Sequence, residues 1–150
     1  MERVTRDATL SHFLLMFGYK MFSFYFPLFL VERGWSIPQV GYIYLFIYLP
    51  ITISAPFVGI LNHKVNPVLL TALGIGGYGL YSFGMMLIEN PFLFFLWQIL
   101  LGVSAALFFV SLEGTLMNAH LKNPDGAFAW FFSAPFYVDA VAPVLGALLI

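Results

Sequence analysis

Long apolar runs, each closed by a short polar knot, set the pattern of this chain. Charged side chains fall at Glu2, Arg3, Arg6 and Asp7, then at Lys20, then at Glu32 and Arg33. The rest are Lys64, Glu89, Glu113, Lys122, Asp125 and Asp139. Thirty uncharged residues separate Arg33 from Lys64, 24 separate Lys64 from Glu89, and 23 separate Glu89 from Glu113. A membrane-crossing helix needs roughly 20 mostly apolar residues, so each gap holds one crossing and a short turn. Five spans are predicted, at about 8–31, 37–61, 68–88, 92–117 and 127–150. The knots between them read "VERGWS", "NHKVNP", "ENP" and "HLKNPDG". Pro38 opens the second span, where its missing N–H does no harm. The runs lack the two-residue alternation of transmembrane strands. The first run is too long for a signal peptide, is interrupted by Lys20, and has no small-residue cleavage site after it. The fold class is therefore all-α: a polytopic membrane helix bundle of five transmembrane helices.

Composition agrees. The 150 residues are 61% hydrophobic and 9% charged, with 18 Phe, 8 Tyr and 3 Trp. Soluble domains run near ~25% charged, and so few charges cannot cover the surface of one. The net charge of −1 leaves no nucleic-acid footprint. With no cysteine, disulfides and thiolate metal sites are excluded. The three histidines do not fall at His-Glu-x-x-His spacing, and phosphate loops and nucleophile elbows are absent. No enzyme activity, cofactor or metal is expected. No loop is long enough for a re-entrant filter of the kind channels use. The leading reading, implied by a family resemblance in three short motifs, is a transporter of a small solute across the lipid bilayer. A non-transporting membrane scaffold or subunit is the alternative, and an intramembrane enzyme a more distant one.

Basic residues give the orientation. With the N-terminus inside, Arg3, Arg6, Lys64 and Lys122 lie on the inner side and Arg33 alone on the outer. This places the N-terminus in the cytoplasm and the protein in the plasma (inner) membrane. The last ten residues, "VAPVLGALLI", carry no charged anchor or polar tail. The chain is expected to be the front of a longer protein or a truncated product.

The stretch "LLMFGYKMFSFYFPLFL" (14–30) holds a single charge, Lys20. A lysine at the centre of a span costs roughly 2.5–3.5 kcal/mol on insertion scales. Its distance from either end, about twelve residues or ~18 Å, is far to snorkel. Helical spacing puts His12, Met16, Lys20, Ser23 and Pro27 on one stripe facing the protein interior. Lys20 and Ser23 are thus candidates for binding a substrate or a coupling ion. Asp139, within the fifth span, is a candidate proton carrier or the counter-ion of Lys20; a structural acid is the plainer alternative. Glu113 and Gln98 share a stripe with Gly102, Ala105 and Phe109. Glu113 is either a gating or proton-relay group or an interfacial carboxylate. Gln98 either bonds substrate or glues two helices together. The glycines of "ALGIGGYGLYSFG" (72–84) are read as surfaces for close helix approach. Pro27, Pro50, Pro56, Pro135 and Pro143 lie within spans and are candidates for kinks.

Three short motifs carry a resemblance. The loop after the second span reads "GILNHKVNPV": Gly59, Leu61 and Lys64 stand at three positions of a Gly-x-Leu-x-Asp-Arg/Lys-x-Gly-Arg-Arg-like run, with His63 at the acidic position. In "QILLGVSA", Gly102 and Ala105 keep part of an Arg-x-x-x-Gly-x-x-Ala pattern, with Gln98 in place of the arginine. In "APVLGA", Pro143 and Gly146 keep part of a Gly-Pro-x-x-Gly-Gly run. In order and placement the chain resembles the first five helices of the major facilitator superfamily. The resemblance implies a secondary transporter in which two six-helix halves rock around a midplane site, each half a three-plus-three inverted repeat. It also implies that the chain does not transport alone. A C-terminal half or a second chain would complete the cavity.

Overall fold

The computed structural model describes residues 2–88 and 90–148. Met1, Glu89, Leu149 and Ile150 lie outside the described residues, as does the predicted end of the fifth span. The described residues form six α-helices: α1 (Arg3–Ser23), α2 (Phe26–Glu32), α3 (Ile37–Leu61), α4 (Pro67–Met85), α5 (Pro91–Met117) and α6 (Pro124–Ala147). No strand occurs among the described residues. Taking α1 and α2 as one crossing, five helices are long and apolar enough to span a membrane. The protein is all-α and a multi-pass integral membrane protein.

Proline placement explains most boundaries. Three helices begin at an Asn-Pro pair. Asn66 Oδ1 accepts from the Val68 N–H at 2.9 Å, Asn90 Oδ1 from Phe92 at 2.9 Å, and Asn123 Oδ1 from Gly126 at 3.0 Å. In each case the asparagine satisfies a free N–H of the first turn. The proline that follows has none to satisfy. These starts fall one to three residues ahead of the predicted ones, because a proline read as a breaker is here the first helical residue.

The first span departs further. It begins at Arg3, not near residue 8, and it is two helices rather than one. Pro27 lacks the N–H that would bond the Ser23 carbonyl, and its ring crowds that same oxygen. So α1 stops at Ser23, the Tyr25 N–H donates to Phe22 in a tightened turn (3.0 Å), and Pro27 sits in the first turn of α2. The Phe22 and Phe26 rings, 5.2 Å apart, brace the break. Pro50 and Pro56 in α3, and Pro135 and Pro143 in α6, leave their helices continuous. At the C-terminal end of α2, Gly34 takes φ +87°, and the Trp35 and Gly34 N–H groups bond back to Leu30 and Val31. That is a Schellman stop, which a glycine accepts without strain.

The chain divides into two compact units, residues 2–36 with 116–148, and residues 37–115. In the first, α1 and α6 run parallel. The Lys122 N–H donates to Glu2 Oε1 (2.6 Å), His12 to the Phe131 carbonyl (3.2 Å) and the Tyr25 hydroxyl to the Pro143 carbonyl (2.6 Å), at separations of 120, 119 and 118 residues. The buried faces are small or flat: Thr5, Ala8, His12 and Met16 on α1; Ala127, Phe131, Ala134, Val138, Ala142 and Gly146 on α6.

In the second unit α4 and α5 run antiparallel. A Cβ on Gly74 would meet the Phe108 backbone at 2.6 Å, and one on Gly77 or Gly84 would strike Ser104 or Trp97. These three glycines form the close seam expected of the glycine-rich third span. Gly76 and Gly79 face open space. Gly102 of α5 packs on the Ile47 carbonyl and Pro50 of α3, and Asn62 Nδ2 at the end of α3 donates to the Val110 carbonyl at 3.1 Å. Thus α3 and α5 run parallel. Within each unit these directions fit alternate crossings of a bilayer: spans one and five parallel in the first, two and four parallel and three and four antiparallel in the second.

Candidate functional site

Two of the predicted residues meet. Lys20 Nζ lies 3.0 Å from Asp139 Oδ1, an ion pair between α1 and α6 well inside the first and fifth spans. Of the two alternatives for Asp139, the structure displays the counter-ion geometry. The helices bring the pair together through their parallel register. Once His12 bonds Phe131, two α-helical turns carry both chains to Lys20 and Asp139 at the same level.

Local structure offsets the charge of Lys20 in three ways. Asp139 supplies the counter-charge. Lys20 lies in the last turn of α1, where the negative end of the helix dipole favours a cation. Its Nζ sits 5.4 Å from the centre of the Phe24 ring, within cation–π range. The break in the first span matters here. Because Pro27 ends α1 at Ser23, a helix C-terminus falls inside the membrane, beside the lysine, instead of at the headgroups.

The end of α1 is also held in place. Gly146 lets α6 approach so closely that a Cβ there would stand 2.7 Å from the Met21 carbonyl and 2.8 Å from the Tyr25 ring. The Tyr25–Pro143 bond lies alongside. The "APVLGA" segment is thus the seat on which the broken end of α1 rests. Sequence reasoning passed over Tyr25 and Phe24 among so many aromatics; their place beside Pro27 was the available signal. Ser23, half-buried, is the last residue of α1, and its hydroxyl makes no hydrogen bond among the described residues.

The pair is open on one flank. The Lys20 side chain is 28% exposed and that of Asp139 41%. Beside them on α6 stand Phe132 and Phe136, both exposed. A cavity of about 300 Å³ opens elsewhere on this unit, at the N-terminal ends of α1 and α6, between Glu2, Thr5, Lys122 and Trp130.

No protein-family profile matches this chain, and neither a curated protein nor a solved structure shows significant similarity to it.

The remaining candidates lie in the second unit. Gln98 is fully buried. Its Oε1 accepts from the Tyr81 hydroxyl at 3.0 Å, and its Nε2 donates to the Phe94 carbonyl at 3.1 Å. That is the helix-gluing arrangement, with no face left open to a solute. Glu113 is half-buried, four residues before the end of α5, and no ion pair or hydrogen bond reaches its carboxylate among the described residues. In the loop after α3, His63 and Lys64 are exposed, and a Cβ on Gly59 would meet nothing within 4 Å. The loop is anchored instead by Asn62, which Gly114 admits to the side of α5. Asn62 was missed because it reads as one more turn residue. Among the described residues no three His, Asp or Glu side chains gather as metal ligands would.

Proposed function

We propose that this chain serves in a secondary transporter that moves a small solute by alternating access, of the major facilitator kind its motifs resemble, with the Lys20–Asp139 pair on the wall of the pathway. The observation that carries the proposal is an ion pair inside the membrane with its flank uncovered. Ionisable groups at this depth are expensive, face the interior or a water-filled cavity, and mark the routes of ions and substrates. The pair stands beside an interrupted helix, and broken helices near the midplane are where such proteins bind their cargo. In the proposed cycle Lys20 attracts an anionic group of the solute, Ser23 offers it a hydroxyl, and Asp139 carries the coupled proton. A proton on Asp139 releases Lys20 from its counter-ion. The excess of Arg3, Arg6, Lys64 and Lys122 over Arg33 supports a cytoplasmic N-terminus, and the plasma membrane is the proposed site.

The test is uptake by the native protein in proteoliposomes under an imposed pH gradient, with radiolabelled amino acids, sugars and carboxylic acids as probes. Saturable, gradient-driven uptake of one class is expected. It should be lost in Lys20→Ala, and Asp139→Asn should uncouple it from the gradient. Leak-level flux for every probe, or uptake unchanged in both variants, refutes the proposal.

A further inference from the structure

The charges on the open flank of the ion pair suggest what covers it. Hydrocarbon cannot solvate the exposed parts of Lys20 and Asp139, so this face of α1 and α6 meets polar groups. The two charges stand at one depth, because α1 and α6 run parallel in matched register. They lie side by side across the face, Lys20 on α1 and Asp139 on α6. A two-fold axis along the membrane normal keeps every residue at its own depth and exchanges left for right. If such an axis passes in front of this face, it sets Lys20 of one copy opposite Asp139 of the other, and the reverse. The same operation gathers Phe24, Phe132 and Phe136 of both copies around the charges.

We propose that the occupant of this face is a second copy of the chain, in a two-fold homodimer whose centre is a ring of four alternating charges. Charge complementarity decides the partner. A surface with one cation and one anion at equal depth complements itself under that symmetry, and closed two-fold pairing is the commonest form of self-association. A partner with a purely apolar face would leave both charges against hydrocarbon. The proposal rests on the membrane location and the pair alone and holds whether or not the protein transports. Where it does, the facing surfaces of the two copies are the walls of the pathway, and the charges mark its tightest level.

The chain has no cysteine, so a single introduced thiol reports cleanly. Phe136, 73% exposed and one helical turn before Asp139, is the probe position; Phe57 on α3, 68% exposed, is the control. In native membranes, oxidation of Phe136→Cys is expected to give a disulfide-linked dimer that Phe57→Cys does not. Adding Asp139→Asn, which keeps the shape and removes the charge, should lower the linked fraction. Adding Lys20→Asp or Asp139→Lys should abolish it. The two charge-reversed chains, differently tagged and co-expressed, should recover a dimer that contains both tags. Linking no greater than the Phe57→Cys control overturns the proposal. So does a linked fraction indifferent to Asp139→Asn, or co-expressed, membrane-inserted reversals that fail to recover the mixed dimer.

Discussion

Removing the carboxylate of Asp139 strands Lys20. At the observed 3.0 Å and an effective dielectric of ~20, the Coulomb attraction is about 5.5 kcal/mol. That figure is a ceiling, because both charges were desolvated to form the pair and part of each side chain stays open. A second route starts from the orphan. An unpaired lysine deep in a span costs ~2.5–3.5 kcal/mol. The dipole of α1 and the Phe24 ring together recover about 1 kcal/mol. Asp139→Ala is therefore expected to destabilise the fold by about 1.5–2.5 kcal/mol, by the orphan estimate. Lys20→Met added to Asp139→Ala leaves no orphan and returns stability to within ~1 kcal/mol of the native protein, as replacement of a whole buried pair commonly does. The double-mutant cycle should thus yield a coupling of about 2 kcal/mol. Reversible unfolding in bicelles, followed through tryptophan emission, measures it. If the two single losses simply add in the double variant, to within ~0.5 kcal/mol, the pair is not coupled and the argument fails.

Three further outcomes follow from the packing. Gln98→Leu should cost less than about 1.5 kcal/mol and Gln98→Ala more than ~2 kcal/mol, since the first swaps a hydrogen-bonded side chain for an apolar one of similar size and the second opens a cavity; bicelle unfolding ranks the two. Gly146→Leu, forced against the Met21 carbonyl and Tyr25, should lose roughly 1–3 kcal/mol to overpacking and unseat the end of α1, whereas Tyr25→Phe should lose only ~0.5–1.5 kcal/mol. Pro27→Ala restores an N–H donor to the Ser23 carbonyl, and amide exchange at residues 24–27 should slow as α1 and α2 merge.

The architecture was plain in the sequence because charge spacing alone demands it. Runs of 23 to 30 uncharged residues have few fates other than crossing a bilayer. The stripe through His12, Met16 and Lys20 also translated directly into the α1–α6 seam, since helical periodicity constrains a face however the tertiary contacts fall. Two things resisted. The break after Ser23 was hidden because Pro27 looked like one of five equivalent span prolines; what sets it apart is that the chain around Pro27 accepts a turn, while the helices around Pro50, Pro56, Pro135 and Pro143 run on. The fate of Gln98 was undecidable because an intramembrane amide is equally apt for a solute or for a neighbouring helix. In the structure the Tyr81 hydroxyl and the Phe94 carbonyl take its hydrogen bonds.

The parallel seating of α1 on α6 bears on biosynthesis. Lys20 leaves the ribosome 119 residues ahead of the carboxylate that neutralises it, which at ~5–20 residues per second is roughly 6–24 s. During that interval the first span holds an unmatched positive charge. Nascent chains halted short of Asp139 should stay beside the translocon or an insertion chaperone and release only when α6 emerges, which would make the ion pair a checkpoint for insertion of the first span.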